Sequence, residues 1–540
     1  MVSFGSAGKD ARRRVRQLLD PGLAIGVAIV AAAFLGIGLL VAREIVYHSD
    51  DAYILYAYAV NLAETGVISY YPGGPPTEGA TDFLFMVVLA GLVRLGMTVE
   101  MASVAVSAVA AAGSFAVLYT LALEAIGGGG RGVRLVLGAA TATLLLGTTY
   151  LVAAMFGFGV FFFLAPLSLM LLCFLRGNDA GFYLSALATC LARPDGFVFA
   201  APLTLVVLWR SRRSARSWLL FAGMLLLPGL LYFAWRYSYF GMLFPLPFYV
   251  KTAEQAALFG LFHLESLEHN IRALLQPPLL VLFAAALFLE LRQLAAFLRA
   301  HAALVLTAAV AFVFYAAIAQ YANAGYRFQA PLYLLALVLL LRLPAPGRIR
   351  LRLDVLAAFA AVALGVSSAN FALATSRYDN VIRLAVALRD LPKGTMLVTE
   401  AGRFPFEARW TAIDSWGLNT PEFASRVITP EDVRELAPDL IVVHGFDDIR
   451  RTELRAFRES HEKSWAGQTR NILIGAGYDY ALYWVPFSFV SDQPDQPPQR
   501  HDIFLIRNDS PLAEELRAVI TRHGGIDTES LLRRLRISVG

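Results

Sequence analysis

Apolar runs about 20 residues long recur along the first two-thirds of the chain, and they constrain the fold more than any other feature. A helix of that length crosses about 30 Å of hydrocarbon. The chain has 540 residues, of which 57% are hydrophobic and 16% are charged, whereas soluble domains usually carry about 25% charged residues. The sequence therefore predicts a polytopic α-helical membrane protein.

The apolar runs predict about eleven membrane-spanning helices. A further run, residues 83–93, is too short to cross the membrane, because a helix of about 11 residues rises only about 17 Å. We therefore predict a re-entrant or juxtamembrane helix there. The predicted spans are residues 22–42, 99–126, 134–152, 156–175, 180–193, 195–209, 218–236, 274–290, 301–320, 328–343 and 354–374.

Arginines cluster in short loops between these spans, at residues 12–16, 210–216 and 342–352. Such clusters are typical of cytoplasmic loops, so we predict a multi-pass protein of a bacterial plasma membrane with a cytoplasmic N-terminus. The net charge of +5 does not predict nucleic-acid binding, because the arginines lie between apolar runs and form no continuous groove for phosphates. An odd number of spans places the C-terminal region outside the cytoplasm.

The composition changes at residue 377, where long apolar runs stop and charges appear throughout. Short β-like runs at 396–399 and 440–443 alternate with amphipathic stretches such as 430–436. The sequence therefore predicts two domains. Residues 1–376 form the membrane domain, with a first external loop at 44–82, and residues 377–540 form a soluble extracytoplasmic α/β domain.

Carboxylates gather in the first external loop, where Asp50 and Asp51 are adjacent and Glu78 follows in a Pro/Gly-rich stretch. Two adjacent carboxylates at a membrane surface repel each other unless a cation, a hydrogen-bond donor or a proton stabilises them. We predict that the Asp pair is catalytic and that Tyr53 and Glu78 bind a substrate. Two alternatives stay open: Asp50 caps the following helix, worth about 1 kcal/mol, or the three carboxylates bind Mg²⁺, Mn²⁺ or Ca²⁺.

Three later outward segments carry charged residues beside prolines, glycines and aromatic residues. The first contains Arg193 and Asp195, the second ends at Lys251, and the third contains Tyr326 and Arg327. Lys251 and Arg327 are the best outward cations for a lipid-linked phosphate, although snorkelling at a helix end is the alternative for both. Arg193 and Asp195 form either a wall of the site or a structural ion pair.

These groups predict chemistry on a lipid-carried sugar, because soluble nucleotide sugars are absent outside the cytoplasm. A polyprenyl tail lies readily among apolar helices while its phosphate meets a cation. One carboxylate then deprotonates an acceptor hydroxyl as that hydroxyl attacks the anomeric carbon. The predicted partners are a polyprenyl-phosphate sugar, membrane lipids and an envelope glycan or glycolipid acceptor.

The order of these segments resembles the GT-C superfamily of glycosyltransferases, in particular the terminal arabinofuranosyltransferases of mycobacterial cell-wall synthesis. The resemblance implies that Asp50 or Asp51 is the catalytic base, that the donor is a polyprenyl-phosphate sugar such as decaprenyl-phosphoryl arabinose, and that the outer domain helps to hold the acceptor. The residues that carry it are Asp50-Asp51-Ala52-Tyr53-Ile54, Asn61-Leu62, Tyr71-Pro72-Gly73-Gly74, Glu78-Gly79, Arg193-Pro194-Asp195-Gly196, the loop 239–251, Tyr326-Arg327-Phe328 with Pro331, and Ile413-Asp414-Ser415-Trp416-Gly417-Leu418-Asn419.

The chain departs from those relatives at two places, so arabinose is one candidate sugar among others. It has Ala57 where the relatives often carry arginine, and the stretch 156–159 lacks their acidic residue. Two other functions compete with transfer: a polyprenyl-lipid transporter or flippase, and a non-catalytic glycan-binding membrane protein. A transporter would need charges within its spans along a path, and the long spans here are nearly free of them.

Overall fold

A computed structural model describes residues 20–250, 264–286, 291–318, 323–343, 347–375, 380–445, 465–487 and 500–527. Within these residues a helix lies in each predicted span and a mixed sheet follows, which confirms the helical membrane domain and the C-terminal α/β domain. The helices of the membrane domain are Pro21–Ala42, Val99–Ala125, Arg131–Leu146, Tyr150–Met155, Val160–Arg176, Asp179–Ala192, Phe197–Arg210, Ala215–Phe240, Leu264–Leu274, Pro277–Ala286, Leu291–Ala300, Ala302–Ala317, Ala330–Leu341 and Gly347–Thr375.

Four helices of the described chain are long and apolar enough to cross a membrane by themselves, and they locate the protein in a membrane. They are Pro21–Ala42, Val99–Ala125, Ala215–Phe240 and Ile349–Leu373. A fifth is counted if Arg292–Ala300 and Ala302–Ala317, bent by 77°, form one span. Several of the other helices in predicted spans are shorter than 18 residues and pack between the long ones.

Several ion pairs lie at one end of the helical bundle. Asp20, the N-cap of the first span, pairs with Arg134 at 2.6 Å, while Glu124 pairs with Arg176 at 2.5 Å and with Arg342 at 3.5 Å. The hydroxyl of Tyr119, on the same helix as Glu124, donates to Asp20. The first span ends at Ala42, next to the first external loop, so these ion pairs and that loop lie at opposite ends of the first span.

The first external loop carries the helix Asp50–Thr65 (hereafter the first-loop helix), and a second helix, Phe83–Arg94, follows the loop directly. The second has 12 residues and occupies the short apolar run. Its buried residues pack in one hydrophobic cluster with the first-loop helix and the C-terminal domain. The N-cap of the first-loop helix is Ser49, so the alternative that Asp50 is the cap is wrong: Asp50 and Asp51 both lie in the first turn. There, their charge still interacts favourably with the helix dipole.

The C-terminal domain contains a mixed six-stranded sheet and seven helices among the described residues. The elements are helices Asn380–Ala387, Leu388–Asp390, Arg403–Ala408, Pro421–Phe423, Pro430–Leu436, Trp465–Ala476 and Ala513–Arg522, and strands β1 (Thr395–Val398), β2 (Thr411–Asp414), β3 (Leu440–Val443), β4 (Tyr480–Phe487), β5 (Arg500–Arg507) and β6 (Ile526–Asp527). The strand order is β2-β1-β3-β5-β4-β6. Strands β1 to β3 are parallel, and β5 runs antiparallel to β3 and β4. The β3 strand and the helix Pro430–Leu436 match the predicted runs.

A buried clamp fixes this domain to the first external loop. The Tyr58 hydroxyl donates to Asn419 Oδ1 at 3.0 Å and accepts from the Gly79 amide at 2.8 Å. Asn419 is held in turn by Asp414 Oδ2, which accepts from both its backbone and side-chain nitrogens. Burial raises the pKa of Asp414 to about 6, against the lowering effect of these hydrogen bonds. The segment 413–419, one of those that carry the family resemblance, therefore contributes to the contact between the two domains.

Candidate active site

Asp51 and Arg327 form the centre of the candidate site. The Arg327 Nη2 atom lies 3.0 Å from Asp51 Oδ2, and the two residues are 276 positions apart in the chain. The Arg327 side chain is 12% exposed, whereas that of Asp51 is 41% exposed. The structure thus brings together a predicted catalytic carboxylate and a predicted phosphate-binding cation.

The aromatic ring of Phe158 packs against the guanidinium of this ion pair. The Arg327 guanidinium lies 3.6 Å from the centroid of Phe158, a distance at which cation–π attraction is strong. Phe158 belongs to the loop that departs from the relatives, and the carbonyl of Gly157 in that loop accepts from the Tyr56 and Ser103 hydroxyls. The stretch 156–159, which has no acidic residue, therefore places an aromatic ring against the Arg327 guanidinium.

A second ion pair lies beside the first. Arg193 makes a bidentate contact with Asp195, with nitrogen–oxygen distances of 3.0 and 3.1 Å. The Tyr315 hydroxyl donates to Asp195 at 2.8 Å. Phe328, the neighbour of Arg327, lies under both guanidiniums, with its ring centroid 5.3 Å from each. Arg193 and Asp195 are thus a tightly held pair that borders the site.

Asp82 adds a carboxylate to this group at the N-terminus of the helix Phe83–Arg94. Burial raises its pKa, and the nearby positive charge of Arg193 opposes that shift. Arg327 also lies close enough to lower the pKa of Asp82. The site therefore combines two guanidiniums with Asp51, Asp82 and Asp195 at the ends of apolar helices.

Asp50 faces the C-terminal domain. Its Oδ1 atom accepts from the backbone amide of Arg403 at 2.7 Å. A Cβ atom on Gly402 would lie only 2.1 Å from Asp50 Oδ2, so the loop approaches the carboxylate as closely as a glycine permits. The two adjacent aspartates consequently have different surroundings: Asp51 meets a guanidinium, whereas Asp50 meets a backbone N–H.

Tyr53 lies one turn along the same helix and is 3% exposed. Its ring packs against Phe406, with a centroid separation of 5.1 Å, and the Arg403 guanidinium lies 5.1 Å from its centroid. Burial raises the pKa of Tyr53 well above its usual range. The structure places Tyr53 in the contact between the domains, and a role in substrate binding stays a prediction.

Glu78 is buried against a residue that the sequence analysis missed. It forms an ion pair with Arg236, near the end of the helix Ala215–Phe240, and both side chains are 3% exposed. Burial raises the pKa of Glu78 to about 7, and the Arg236 charge opposes the shift. The Glu78 carbonyl also accepts from the Leu246 amide at 3.0 Å. Glu78 therefore joins the first external loop to the segment that leads towards Lys251.

Tyr326 lies beside Arg327 but points to another helix. It has a positive φ of 52°, and its ring packs against His269 with a centroid separation of 5.5 Å. Its side chain lies close enough to Arg272 to raise the pKa of that guanidinium. Tyr326 thus anchors the arginine-bearing loop, and its predicted contact with a substrate stays untested. Lys251 lies outside the described residues.

The three first-loop carboxylates each have a partner within the described residues, and metal binding by them stays a prediction. Asp51 is paired with Arg327, Glu78 is paired with Arg236, and Asp50 accepts the Arg403 amide. Within the ranges that the structure describes, no three His, Cys, Asp or Glu side chains form a group able to hold a metal ion. We therefore assign no chemical step to a divalent cation.

Some residues that contact the candidate site could have been selected from the sequence, and others could not. Arg236 is the sole charged residue between positions 217 and 250, and an ionisable residue in an apolar span is a signal for function or for a buried partner. Asp82 is the last residue of the predicted first external loop and directly precedes an apolar run, so it could also have been selected as a candidate site residue. The contacts of Arg403 and Phe158 depend on the tertiary fold and have no comparable local signal.

Comparisons with known proteins assign no family to the chain. Residues 371–483 match the family described as "Domain of unknown function (DUF8728)", which is less than half of the chain. No curated protein matches the sequence. Among solved structures, the chain is similar to ArnT from Cupriavidus metallidurans in the apo state, with 13% identity, a TM-score of 0.48, and coverage of 88% of this chain and 98% of that one. At this TM-score the similarity supports no assignment of residues.

Proposed function

We propose that the protein is an integral-membrane glycosyltransferase that moves a sugar from a polyprenyl-phosphate donor to an extracytoplasmic envelope glycan or lipid. The observation that carries the proposal is the Asp51–Arg327 ion pair beside Asp50, at the end of an apolar helical bundle, and we predict that this end faces outward. An arginine at the end of apolar helices can bind the phosphate of a lipid whose tail lies among those helices. Arabinofuranose is one candidate sugar.

We assign Arg327 to the donor phosphate. A guanidinium binds phosphate through two parallel N–H donors, and Phe158 and Asp51 fix the plane of this one. Arg193 is saturated by its bidentate contact with Asp195. It therefore serves to hold the wall of the site.

Asp50 is the proposed general base. Its Oδ1 atom accepts a backbone amide of the C-terminal domain, whereas the Asp51 carboxylate is paired with Arg327, the residue that we assign to the donor phosphate. The acceptor oxygen forms a bond to the anomeric carbon while the bond from that carbon to the phosphate oxygen breaks. The electron pair leaves with the polyprenyl phosphate, the acceptor proton passes to Asp50, and the configuration inverts in this single displacement.

Transfer by the purified full-length protein tests the proposal. The probes are radiolabelled decaprenyl-phosphoryl arabinose and undecaprenyl-phosphate-linked glucose and mannose, each offered with an extracted envelope fraction as acceptor. We expect label to pass from at least one donor to the acceptor. Asp50→Asn should lower turnover about 10²- to 10⁴-fold, and its melting temperature should stay close to that of the wild type, because asparagine still accepts the Arg403 N–H.

Four outcomes would count against the proposed function or its catalytic residues. Near-normal turnover by Asp50→Asn would remove its role as base, and the same result for Asp51→Asn as well would remove the pair from the chemistry. Movement of an unchanged lipid between leaflets, without transfer, would favour a transporter. Glycan binding without turnover from any donor would favour a non-catalytic binding protein.

A further inference from the structure

The C-terminal domain contacts the proposed base with its backbone. Strand β1 ends at Val398, and the loop that follows it reaches the first-loop helix. Within this loop, the Arg403 amide donates to Asp50 Oδ1 at 2.7 Å, and the Cα of Gly402 faces the same carboxylate. These contacts join two segments 353 positions apart in the chain.

Further contacts hold this loop in place. The Tyr70 hydroxyl donates to the Ala401 carbonyl at 2.7 Å. The Arg403 guanidinium lies 4.8 Å from the Tyr47 ring centroid and 3.4 Å from a Glu407 carboxylate oxygen. The backbone that meets Asp50 is therefore fixed on the membrane-domain side by Tyr70 and Tyr47 and on its own side by the helix that it begins.

From this geometry we infer that the backbone N–H of Arg403 is a positioning group for Asp50, so that the C-terminal domain completes the active site. The inference rests on the proposed function. A general base must lie within hydrogen-bond reach of the proton that it accepts. An N–H that binds one carboxylate oxygen fixes the rotation of the carboxyl group, and Gly402 allows the approach because it has no side chain.

The position of Arg403 in its helix allows the N–H to be removed selectively. Arg403 follows the N-cap Gly402 and is the first residue of the helix Arg403–Ala408. The amide of a first helical residue has no partner within its helix, and proline is favoured at that position. Arg403→Pro therefore deletes the donor to Asp50, while Arg403→Ala is the matched control that loses the guanidinium and keeps the donor.

We expect kcat of Arg403→Pro to fall about 10- to 100-fold below that of Arg403→Ala, because small displacements of a catalytic group cost about that much. The donor KM should agree between the two variants within about twofold, because the donor phosphate is bound by Arg327. Their melting temperatures report whether proline is tolerated. The assay uses full-length protein and whichever labelled donor the wild type accepts.

A second substitution tests the same contact if Arg403→Pro fails to fold. Gly402→Ala places a methyl group where Asp50 stands and should lower kcat with little change in donor KM. Its control is Gly113→Ala, where an added Cβ would meet nothing within 4 Å.

Equal kcat for Arg403→Pro and Arg403→Ala, in a protein whose wild type is active, would overturn the inference and leave the proposed function standing. If the proline variant does not fold, normal kcat for Gly402→Ala would overturn it in the same way. Absence of transfer by the wild type would overturn both the proposed function and the inference.

Discussion

Replacement of Arg327 by alanine should weaken donor binding more than it weakens the fold. A charge-assisted hydrogen bond to phosphate is worth about 1.5–3 kcal/mol, and each 1.4 kcal/mol is about tenfold in affinity. We therefore expect the donor Kd to rise about 10- to 100-fold. Asp51, the residue left behind, has a side chain that is 41% exposed, so water replaces its lost partner at small cost.

Binding of a radiolabelled donor to protein in lipid nanodiscs measures this change, with melting temperature recorded for the same samples. Arg327→Lys should recover only part of the affinity, because an ammonium lacks the two parallel donors of a guanidinium. Arg342→Ala is a matched control: Arg342 is also paired with a carboxylate, Glu124, but at the opposite end of the bundle. Its donor Kd should equal that of the wild type.

Full recovery of donor affinity by Arg327→Lys would refute the reasoning. A lysine that snorkels to the interface restores an anchor, so such a result would make Arg327 a membrane anchor instead of a ligand for phosphate. An equal rise in Kd for Arg342→Ala would point to a general loss of fold.

Three further predictions concern the buried acid, the domain contact and the topology. The pKa of Glu78 is raised from its usual 4.5 to about 7, so the folded state binds the proton more tightly and this group's contribution to stability falls as the pH rises between those values. The melting temperature of Glu78→Gln should change less with pH in that window than that of the wild type. Parallel pH profiles for the two proteins would contradict the raised pKa of Glu78. Gly79→Ala should weaken the clamp, because its Cβ would lie 1.9 Å from Asn419 Oδ1; unchanged protease resistance of the C-terminal domain in membranes would contradict this. Protease added to intact spheroplasts should remove residues beyond about 377, and protection until lysis would contradict the outward orientation.

Features that depend on local sequence were predicted well. The strand Leu440–Val443 and the helix Pro430–Leu436 have the predicted bounds, because a four-residue apolar run and a threonine capping box define them locally. The short apolar helix Phe83–Arg94 was predicted for the same reason. Its length alone excludes a full membrane crossing, whatever the rest of the chain does.

Partners distant in the chain were predicted only in part. Asp51 and Arg327 were both selected, but their contact was not, since 276 positions separate them. Substrate binding by Glu78 stays a prediction, and its ion pair with Arg236, a residue within an apolar run, was not predicted. The donor to Asp50 is a backbone amide, and every residue except proline carries one, so residue identity could not predict it.

Mass spectrometry of the lipid that copurifies with the protein tests the central claim most directly. The account predicts a polyprenyl-phosphate sugar in the wild-type preparation and less of it in Arg327→Ala. Addition of the envelope acceptor should convert this lipid to polyprenyl phosphate in the wild type but not in Asp50→Asn, whose turnover should be about 10²- to 10⁴-fold lower. Recovery of bilayer phospholipids alone, or of a polyprenyl-phosphate sugar that stays intact in the wild type when the acceptor is added, would contradict the account.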